Sequence, residues 1–157
     1  MENIESFKIN HLLLESGLYV SRIDKKGQEV VTTFDLRFKK PNREPVMEIS
    51  AMHTIEHLGA TFLRNSKIKE DIVYFGPMGC RTGFYLLVFG KLTSEEIYPI
   101  IKETCDFIIN FNGEIFGATP IECGNYSDQN LELAKEYVLE YKNRLTKYKN
   151  FIYPSEK

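Results

Sequence analysis

The sequence is poor in cysteine and has no long apolar run. The first shortage argues against a disulfide-rich protein, and the second argues against a membrane-spanning one. Three cysteines in 157 residues are an odd, sparse set. They make a poor disulfide framework and favour a reducing compartment. No apolar run in the sequence approaches the roughly 18 residues of a membrane span. The first residues lack the basic start and apolar centre of a signal peptide, so we expect a cytoplasmic protein with no membrane partner.

The balance of charges argues against a nucleic-acid-binding protein. Twenty Lys and Arg residues stand against 22 Asp and Glu, and the net charge of −2 gives no indication of nucleic-acid binding. The hydrophobic fraction of 43% and the charged fraction of 27% are ordinary for a globular protein. At this length we predict a single domain over residues 1–157.

Two of the three histidines fall in one motif, His53-Thr-Ile-Glu56-His57. Residues four apart share a face of a helix, so both imidazoles can bind one metal ion. Glu56 can place a proton acceptor beside that ion. The order His-x-x-Glu-His is known from inverzincins. A surface helix with two histidines is the alternative, but the apolar neighbours indicate a buried helix, where histidines and carboxylates need partners. We therefore predict a metal site.

Two histidines leave a catalytic metal one ligand short. Catalytic sites of zinc-like ions usually take three protein ligands and keep one position for water or substrate. Cys123, followed by Gly124 in a polar loop, is the best third candidate on sequence grounds. His11, the remaining histidine, is the competing candidate, although its position near the N-terminal segment favours a partly exposed side chain without a ligand role.

Cys80 lies in a glycine-rich loop, Gly76-Pro-Met-Gly-Cys80-Arg-Thr82, between two predicted strands. The glycines permit unusual backbone angles. The adjacent Arg81 and the loop amides favour a thiolate. A small buried hydrophobe is an equally good interpretation of a free cysteine. Cys105 differs, because it falls within the apolar stripe of a helix and is predicted to be core.

Hydrophobic periodicity predicts strands first and helices between and after them. The predicted elements are a hairpin over 18–38, a loop over 39–45, a helix over 50–65 capped by Ser50, strands over 71–75 and 83–89, a helix from the capping box Thr93–Glu96 to about Phe111, and a helix over 128–148 capped by Ser127. Residues 112–120 read as strand-like or irregular.

In the hairpin, Asp35 and Arg37 share one strand face, which indicates a salt bridge or a solvated side. Contact of Arg37 with a polar substrate is the functional alternative.

Together these motifs resemble the S-ribosylhomocysteine lyase (LuxS) family. The resemblance rests on His53-Thr-Ile-Glu-His57, Gly-Pro-Met-Gly-Cys80-Arg-Thr-Gly-Phe-Tyr85, Phe34-Asp-Leu-Arg-Phe38 and Glu122-Cys123-Gly124, in this order and spacing, with Glu5-Ser6-Phe7 and His11 ahead of them. It covers nearly the whole chain. The four motifs together are highly specific, whereas any one alone is not.

The resemblance implies an α+β fold, with an antiparallel sheet and helices packed on one side. It also implies a homodimer with two sites at the subunit interface, and one Fe²⁺ per subunit for which Zn²⁺ or Co²⁺ can substitute. The implied site residues are the metal ligands His53, His57 and Cys123, the acid/base groups Cys80 and Glu56, and the substrate-lining Ser6, His11 and Arg37, which would reach across to the partner's metal.

The implied reaction cleaves the thioether of S-ribosylhomocysteine by carbonyl migration and β-elimination. Its products are homocysteine and 4,5-dihydroxypentane-2,3-dione, the precursor of the quorum-sensing signal autoinducer-2. The residues fit this chemistry independently, because it needs a Lewis acid with an open position and two proton carriers. No oxidation state changes, so neither nicotinamide nor flavin is needed, and the sequence carries no motif for either.

Two other functions remain open. In a small metallohydrolase Glu56 would activate a metal-bound water, but such enzymes draw a third carboxylate ligand from a distant helix, and Cys80 would have no role. A structural metal domain would favour four closed ligands, and the sequence offers three good ones. Gly59, the segment Tyr74-Phe75-Gly76 and the residues after Gly124 depart from the family's pattern, which affects local packing and substrate affinity rather than the reaction.

Overall fold

A four-stranded antiparallel sheet carries the three long helices on one of its faces. The computed structural model describes residues 4–154, so the outer residues of the predicted domain, 1–3 and 155–157, lie outside the described range. The sheet order is β1-β2-β4-β3, formed by β1 (Gly17–Lys26), β2 (Glu29–Arg37), β3 (Ile72–Pro77) and β4 (Gly83–Phe89). The helices are α1 (Glu5–Lys8), α2 (Ile49–Leu63), α3 (Ser94–Asn110) and α4 (Leu131–Tyr148), and a 3-10 turn at Lys69–Asp71 precedes β3. The predicted α+β fold is confirmed.

The two faces of the sheet differ in character because successive side chains of a strand point to opposite sides. Phe34 and Leu36 of β2 face the helices together with Phe84 and Leu86 of β4, and all four are at most 4% exposed. Their partners come from the apolar stripes of the long helices, among them Ile55, Leu58, Ile97, Ile101, Val138 and Tyr141. This single core fixes α2 and α4 against the sheet.

The predicted hairpin is confirmed. Strands β1 and β2 pair from Gly17 opposite Arg37 to Lys26 opposite Glu29, and the turn between them uses Gly27 at φ +62°. A register shift lies between Val20 and Arg22, where β1 bends. No helix of the described range is long and apolar enough to cross a membrane.

Two predicted helix starts are wrong by one to three residues. Helix α2 begins at Ile49, because Met52 N–H already donates to the carbonyl of Glu48 at 3.0 Å, and so Ser50 lies inside the first turn instead of capping it. Helix α4 begins at Leu131, and its cap is Asn130 rather than Ser127.

The third helix follows its prediction closely. The capping box of α3 is present, with Thr93 Oγ1 accepting from Glu96 N–H at 3.2 Å and Glu96 Oε2 accepting from Thr93 N–H at 2.7 Å. Cys105 is 4% exposed in the core, and burial raises the pKa of its thiol to about 12. Residues 112–120 contain only turns and irregular backbone.

Candidate active site at a histidine and cysteine cluster

Helix α2 and the loop between α3 and α4 bring three metal-binding side chains together. His53 and His57 lie one turn apart, and their Nε2 atoms are 3.0 Å apart. Cys123 projects from the loop and places Sγ 3.4 Å from His53 Nε2. All three ligand atoms lie within 4.8 Å of one another. His11, the competing third ligand, is not part of this cluster, and its Nδ1–H donates to the carbonyl of Ile9 at 2.9 Å.

Backbone carbonyls orient both imidazoles. His57 Nδ1–H donates to the carbonyl of Phe116 at 2.7 Å, and His53 Nδ1–H donates to the carbonyl of Asp128 at 2.9 Å. A neutral imidazole that donates from Nδ1 presents a lone pair on Nε2, so both lone pairs point into the cluster. Gly117, at φ +69°, turns the chain directly after Phe116 and keeps a side chain away from the His57 ring.

The donor set fits one tetrahedral ion. Metal bonds of roughly 2.05 Å to nitrogen and 2.3 Å to sulfur separate two nitrogens by about 3.3 Å and nitrogen from sulfur by about 3.6 Å. The observed 3.0 Å and 3.4 Å are close to these values, and the third pair, His57 and Cys123, has its ligand atoms within 4.8 Å of each other. The backbone N–H of Asn125 donates to Cys123 Sγ at 3.4 Å, which stabilises a negative sulfur. Two imidazoles and a thiolate leave a fourth position for a ligand.

A cavity of about 400 Å³ opens next to this cluster, a volume that suits a small-molecule ligand. It is lined by Ile49, Met52, His53, Glu56, Pro77, Met78, Gly79, Arg81, Asn125 and Asp128. Glu56 lies half-buried on the same helix as the histidines. Arg81 brings a cation to the lining. The cavity thus combines an acid/base candidate, a metal-site histidine and a cation.

Cys80 lies on the turn between β3 and β4, which forms one wall of this cavity. Its side chain is exposed, so the interpretation of Cys80 as a core hydrophobe is wrong. Thr82 Oγ1 lies 3.1 Å from Cys80 Sγ, and Arg37 Nη1 lies 3.9 Å from it. Arg37 also donates to Thr82 Oγ1 at 2.6 Å. The guanidinium and the Thr82 hydroxyl therefore hold the sulfur at a defined place on the turn.

Arg37 is itself held by a buried ion pair. Its Nη2 and Nε donate to the two carboxylate oxygens of Asp35 at 2.6 and 3.1 Å, and the two side chains are 3% and 1% exposed. Burial opposes the charge of Arg37, but Asp35 outweighs burial and raises the pKa of the guanidinium above its ordinary value. The predicted salt bridge on this strand face is therefore present, and Arg37 lies beside Cys80 of its own chain.

Tyr153 completes this arrangement, and sequence reasoning missed it. Its hydroxyl donates to Asp35 Oδ2 at 2.9 Å, and its ring stacks on Tyr19 with centroids 4.5 Å apart. Burial and the charge of Asp35 hold the pKa of Tyr153 well above its usual range. The residue follows the last helix in a segment without periodicity, so no sequence signal indicated the contact.

Ser6 lies in a different place from the histidine cluster. It lines a second cavity, of about 370 Å³, with Arg22, Thr33, Tyr74 and Tyr85 among its neighbours. Thr33 and Tyr85 belong to the sheet face that points away from α2, α3 and α4, as do Asp35 and Arg37. Within one chain, the structure therefore brings His53, His57, Cys123, Glu56 and the Cys80 turn together, but not Ser6 or His11.

Gln129 is a second residue that the sequence did not mark. Its side-chain amide lies 3.2 Å from His53 Nδ1, on the side of the ring opposite to the cluster. A single glutamine between a loop and a helix carries no pattern that would distinguish it from a solvated residue.

The sequence is similar to those of known proteins. The model of the family S-Ribosylhomocysteinase (LuxS) matches residues 4–151. A protein named S-ribosylhomocysteine lyase from Finegoldia magna is 58% identical over 156 residues, which cover 98% of this chain and 99% of the relative. Proteins of the same name from Clostridium acetobutylicum (58% over 135 residues, 85% of each chain) and Clostridium beijerinckii (52% over 159 residues, 99% of this chain and 100% of the relative) are also similar.

Proposed function

This chain belongs to the S-ribosylhomocysteinase (LuxS) family, and on that premise we propose that it is a carbon–sulfur lyase acting on S-ribosylhomocysteine. The products would be homocysteine and 4,5-dihydroxypentane-2,3-dione, the precursor of autoinducer-2. The observation that carries the proposal is the His53, His57 and Cys123 cluster beside a cavity shared with Glu56 and the Cys80 turn. A Lewis-acid site next to two proton carriers is what the reaction requires.

We infer that His53, His57 and Cys123 hold one divalent ion per chain. Fe²⁺ is the proposed ion, and Zn²⁺ and Co²⁺ can substitute because imidazole and thiolate suit several transition metals. When bound, the ion supplies Lewis acidity that polarises a carbonyl oxygen and makes the adjacent C–H acidic. The two Nδ1–H···O=C bonds support this role, since they keep each Nε2 deprotonated and directed at the site.

Glu56 and Cys80 would move the protons. In the open-chain sugar, one of them removes the proton from C2 and returns it to C1, which shifts the carbonyl from C1 to C2. A second shift of the same kind moves the carbonyl to C3. Removal of the proton from C4 then forms a C4–C5 double bond as the C5–S bond breaks, and sulfur leaves as the homocysteine thiolate, which takes up a proton. The enol that remains tautomerises to the dione, and no water or electron is consumed overall.

Arg37 would position Cys80 and supply a fixed positive charge beside its sulfur. The guanidinium lies 3.9 Å from Sγ and is fixed by Asp35 and Thr82, so its charge is in place before substrate arrives. A preorganised charge acts without reorganisation at the moment of reaction. The substrate-lining role of Arg37 thus includes holding Cys80 ready in its own chain.

We propose a homodimer in which Ser6 and His11 serve the partner's site. The N-terminal segment exposes four large apolar side chains, Ile4, Phe7, Leu12 and Leu13, at 56%, 63%, 66% and 55%. Exposed apolar residues in one segment are typical of protein interfaces. Ser6 lies far enough from its own histidine cluster to line a different cavity. A cytoplasmic location is also proposed, and three free cysteines fit its reducing conditions.

Anaerobic turnover tests the reaction. Purified protein would be incubated with S-ribosylhomocysteine, and released thiol followed with Fe²⁺ present and again after chelation. We expect thiol release that disappears on chelation and returns with Fe²⁺. No thiol release from folded, fully metallated protein would overturn the proposal.

Cys80→Ala separates the lyase from a metallohydrolase or a structural metal domain. In the lyase it should abolish turnover and leave metal content near one ion per chain, because Cys80 is outside the metal cluster. Cys105→Ala removes a thiol from the core instead and is the matched control. Turnover that persists in Cys80→Ala would show that the Cys80 thiol does not transfer a proton in the reaction.

A further inference from the structure

The geometry points to Gln129 as a positioning residue for His53, acting with Thr54 behind the metal cluster. The inference rests on the metal site of the proposed function. It concerns how firmly His53 presents its lone pair, not which residues bind the ion. Gln129 contacts neither the cavity nor the other two cluster residues in any described bond.

Four polar groups meet behind His53. The structure places Gln129 Nε2 3.2 Å from His53 Nδ1 and Gln129 Oε1 2.7 Å from Thr54 Oγ1. The hydroxyl of Thr54 is also 3.1 Å from the carbonyl of Ser50 and accepts from Asn130 N–H at 2.9 Å. Thr54 is 0% exposed, so its hydroxyl must find its partners within the protein.

The hydrogens decide which way the amide points. His53 Nδ1–H donates to the carbonyl of Asp128, so Nδ1 has no lone pair with which to accept from an amide N–H of Gln129. An amide with its nitrogen towards His53 would therefore set two donors against each other. Turned by 180°, the amide presents its oxygen to His53 Nδ1–H, and the imidazole hydrogen is shared between two carbonyl oxygens.

The turned amide also satisfies Thr54. A hydroxyl has one hydrogen and two lone pairs. Thr54 then donates to the carbonyl of Ser50 and accepts from both Gln129 Nε2–H and Asn130 N–H, at the distances observed. The second N–H of the amide belongs to a half-buried side chain and can reach solvent. The hydrogen bonds at Thr54 are thus all paired, which favours a single orientation of the amide.

This network distinguishes the two histidines. With the amide turned, Nδ1–H of His53 has two acceptors, whereas among the described residues Nδ1–H of His57 has the carbonyl of Phe116 alone. Partners of this kind fix the tautomer and the ring orientation of a metal-binding histidine, and losing one typically weakens metal binding about 10- to 100-fold. We therefore expect Gln129 to set the affinity of the site through His53.

The test measures Zn²⁺ affinity by competition with a chromogenic chelator. Gln129→Leu keeps the size of the side chain without its polar atoms and should weaken Zn²⁺ binding about 10-fold or more. Gln129→Glu keeps an oxygen acceptor for Nδ1–H and should stay within a few-fold of the unmodified protein. Gln28→Leu, in the exposed hairpin turn, changes the other glutamine of the chain and should leave affinity unaltered. Equal affinity in Gln129→Leu and Gln28→Leu would overturn the inference.

A second measurement needs no variant. In ¹⁵N-labelled, Zn²⁺-loaded protein, His53 should be the Nδ1–H tautomer, with its Nδ1–H exchanging with solvent more slowly than that of His57 because two acceptors hold it. Equal or faster exchange at His53 would contradict the role of Gln129. Folded protein that binds no Zn²⁺ at all would instead overturn the proposed metal site, so the two failures are distinguishable.

Discussion

Gly59 of α2 lies against the ring of Phe75 of β3 so closely that a Cβ on Gly59 would be 2.5 Å from Cε1 of that ring. Phe75 is 7% exposed and stacks on Phe84 with centroids 5.3 Å apart, so it has little room to move. The ring fills the space that a bulkier residue at position 59 would take. The contact matters for the site, because α2 carries the histidines and Glu56 while β3 leads into the Cys80 turn.

Gly59→Ala should therefore destabilise the protein although alanine favours helix. Helix propensity alone would stabilise the variant by roughly 1 kcal/mol, but overpacking against a fixed ring costs about 1–3 kcal/mol. We expect a net decrease in the free energy of unfolding, measured by urea titration. Turnover should fall as well, since α2 and the Cys80 turn would be pushed apart.

Phe75→Leu is the partner variant for this test. In the Phe75→Leu background, Gly59→Ala should be tolerated better, and the double-mutant cycle should give a favourable coupling of about 0.5–3 kcal/mol, as for residues in contact. Additive effects would mean that the close contact does not limit position 59.

The cysteines Cys80 and Cys105 should differ sharply in reactivity. Cys80 is exposed beside Arg37, whereas Cys105 is buried with a pKa raised to about 12. Iodoacetamide at pH 8 should label Cys80 within the native protein and label Cys105 only in denaturant, as peptide mass spectrometry would report. Labelling of Cys105 at a comparable native rate would contradict its place in the core.

Tyr153→Phe should cost stability at neutral pH, because it removes a hydrogen bond to a buried carboxylate while keeping the ring against Tyr19. Hydrogen bonds to charged groups contribute about 1.5–3 kcal/mol. The free energy of unfolding at pH 7.5 measures this loss. Tyr126→Phe, at an exposed site, is the control and should have no effect.

The same tyrosine should make the protein sensitive to alkali. Burial and Asp35 keep Tyr153 protonated in the folded state, so above pH of about 10 the unfolded chain loses a proton that the folded chain retains. The free energy of unfolding should therefore fall as pH rises through this range. Tyr153→Phe should show a shallower decline between pH 9 and 11, and an unchanged slope would argue against the role of its hydroxyl.

The third metal ligand can be tested by exchanging the two candidates. Cys123→Ala should reduce bound Zn²⁺ far below one ion per chain after dialysis, because only two imidazoles would remain. His11→Ala should leave metal content unchanged, since His11 bonds to Ile9 outside the cluster. Metal analysis of both variants decides, and the reverse result would restore His11 as the ligand.

Local chemistry explains what the sequence could predict. His53 and His57 share a helix face by spacing alone, and the Thr93–Glu96 capping box is complete within four residues. Neither needs knowledge of the rest of the fold. The strand alternation of β2 likewise places Asp35 and Arg37 on one side, which made their ion pair predictable.

Contacts between distant segments explain what the sequence did not predict. Ser127 and Asn130 are both good helix caps, but Asn130 N–H bonds to Thr54 of α2, and this contact selects the start of α4. Tyr153 and Gln129 owe their roles to partners more than 70 positions away. The sequence pattern within either segment does not indicate a distant partner.

Several of the contacts that attach the irregular loop between α3 and α4 to α2 lie at the candidate metal site. Phe116 and Asp128 receive the imidazole hydrogens, and Cys123 supplies the sulfur. Without an ion the sulfur loses its partner, and we expect the loop to open more often than the helices. Exposed Phe116 and Tyr126 would then become cleavage sites for chymotrypsin. Metal supply would in this way control the proteolytic lifetime of the protein as well as its turnover.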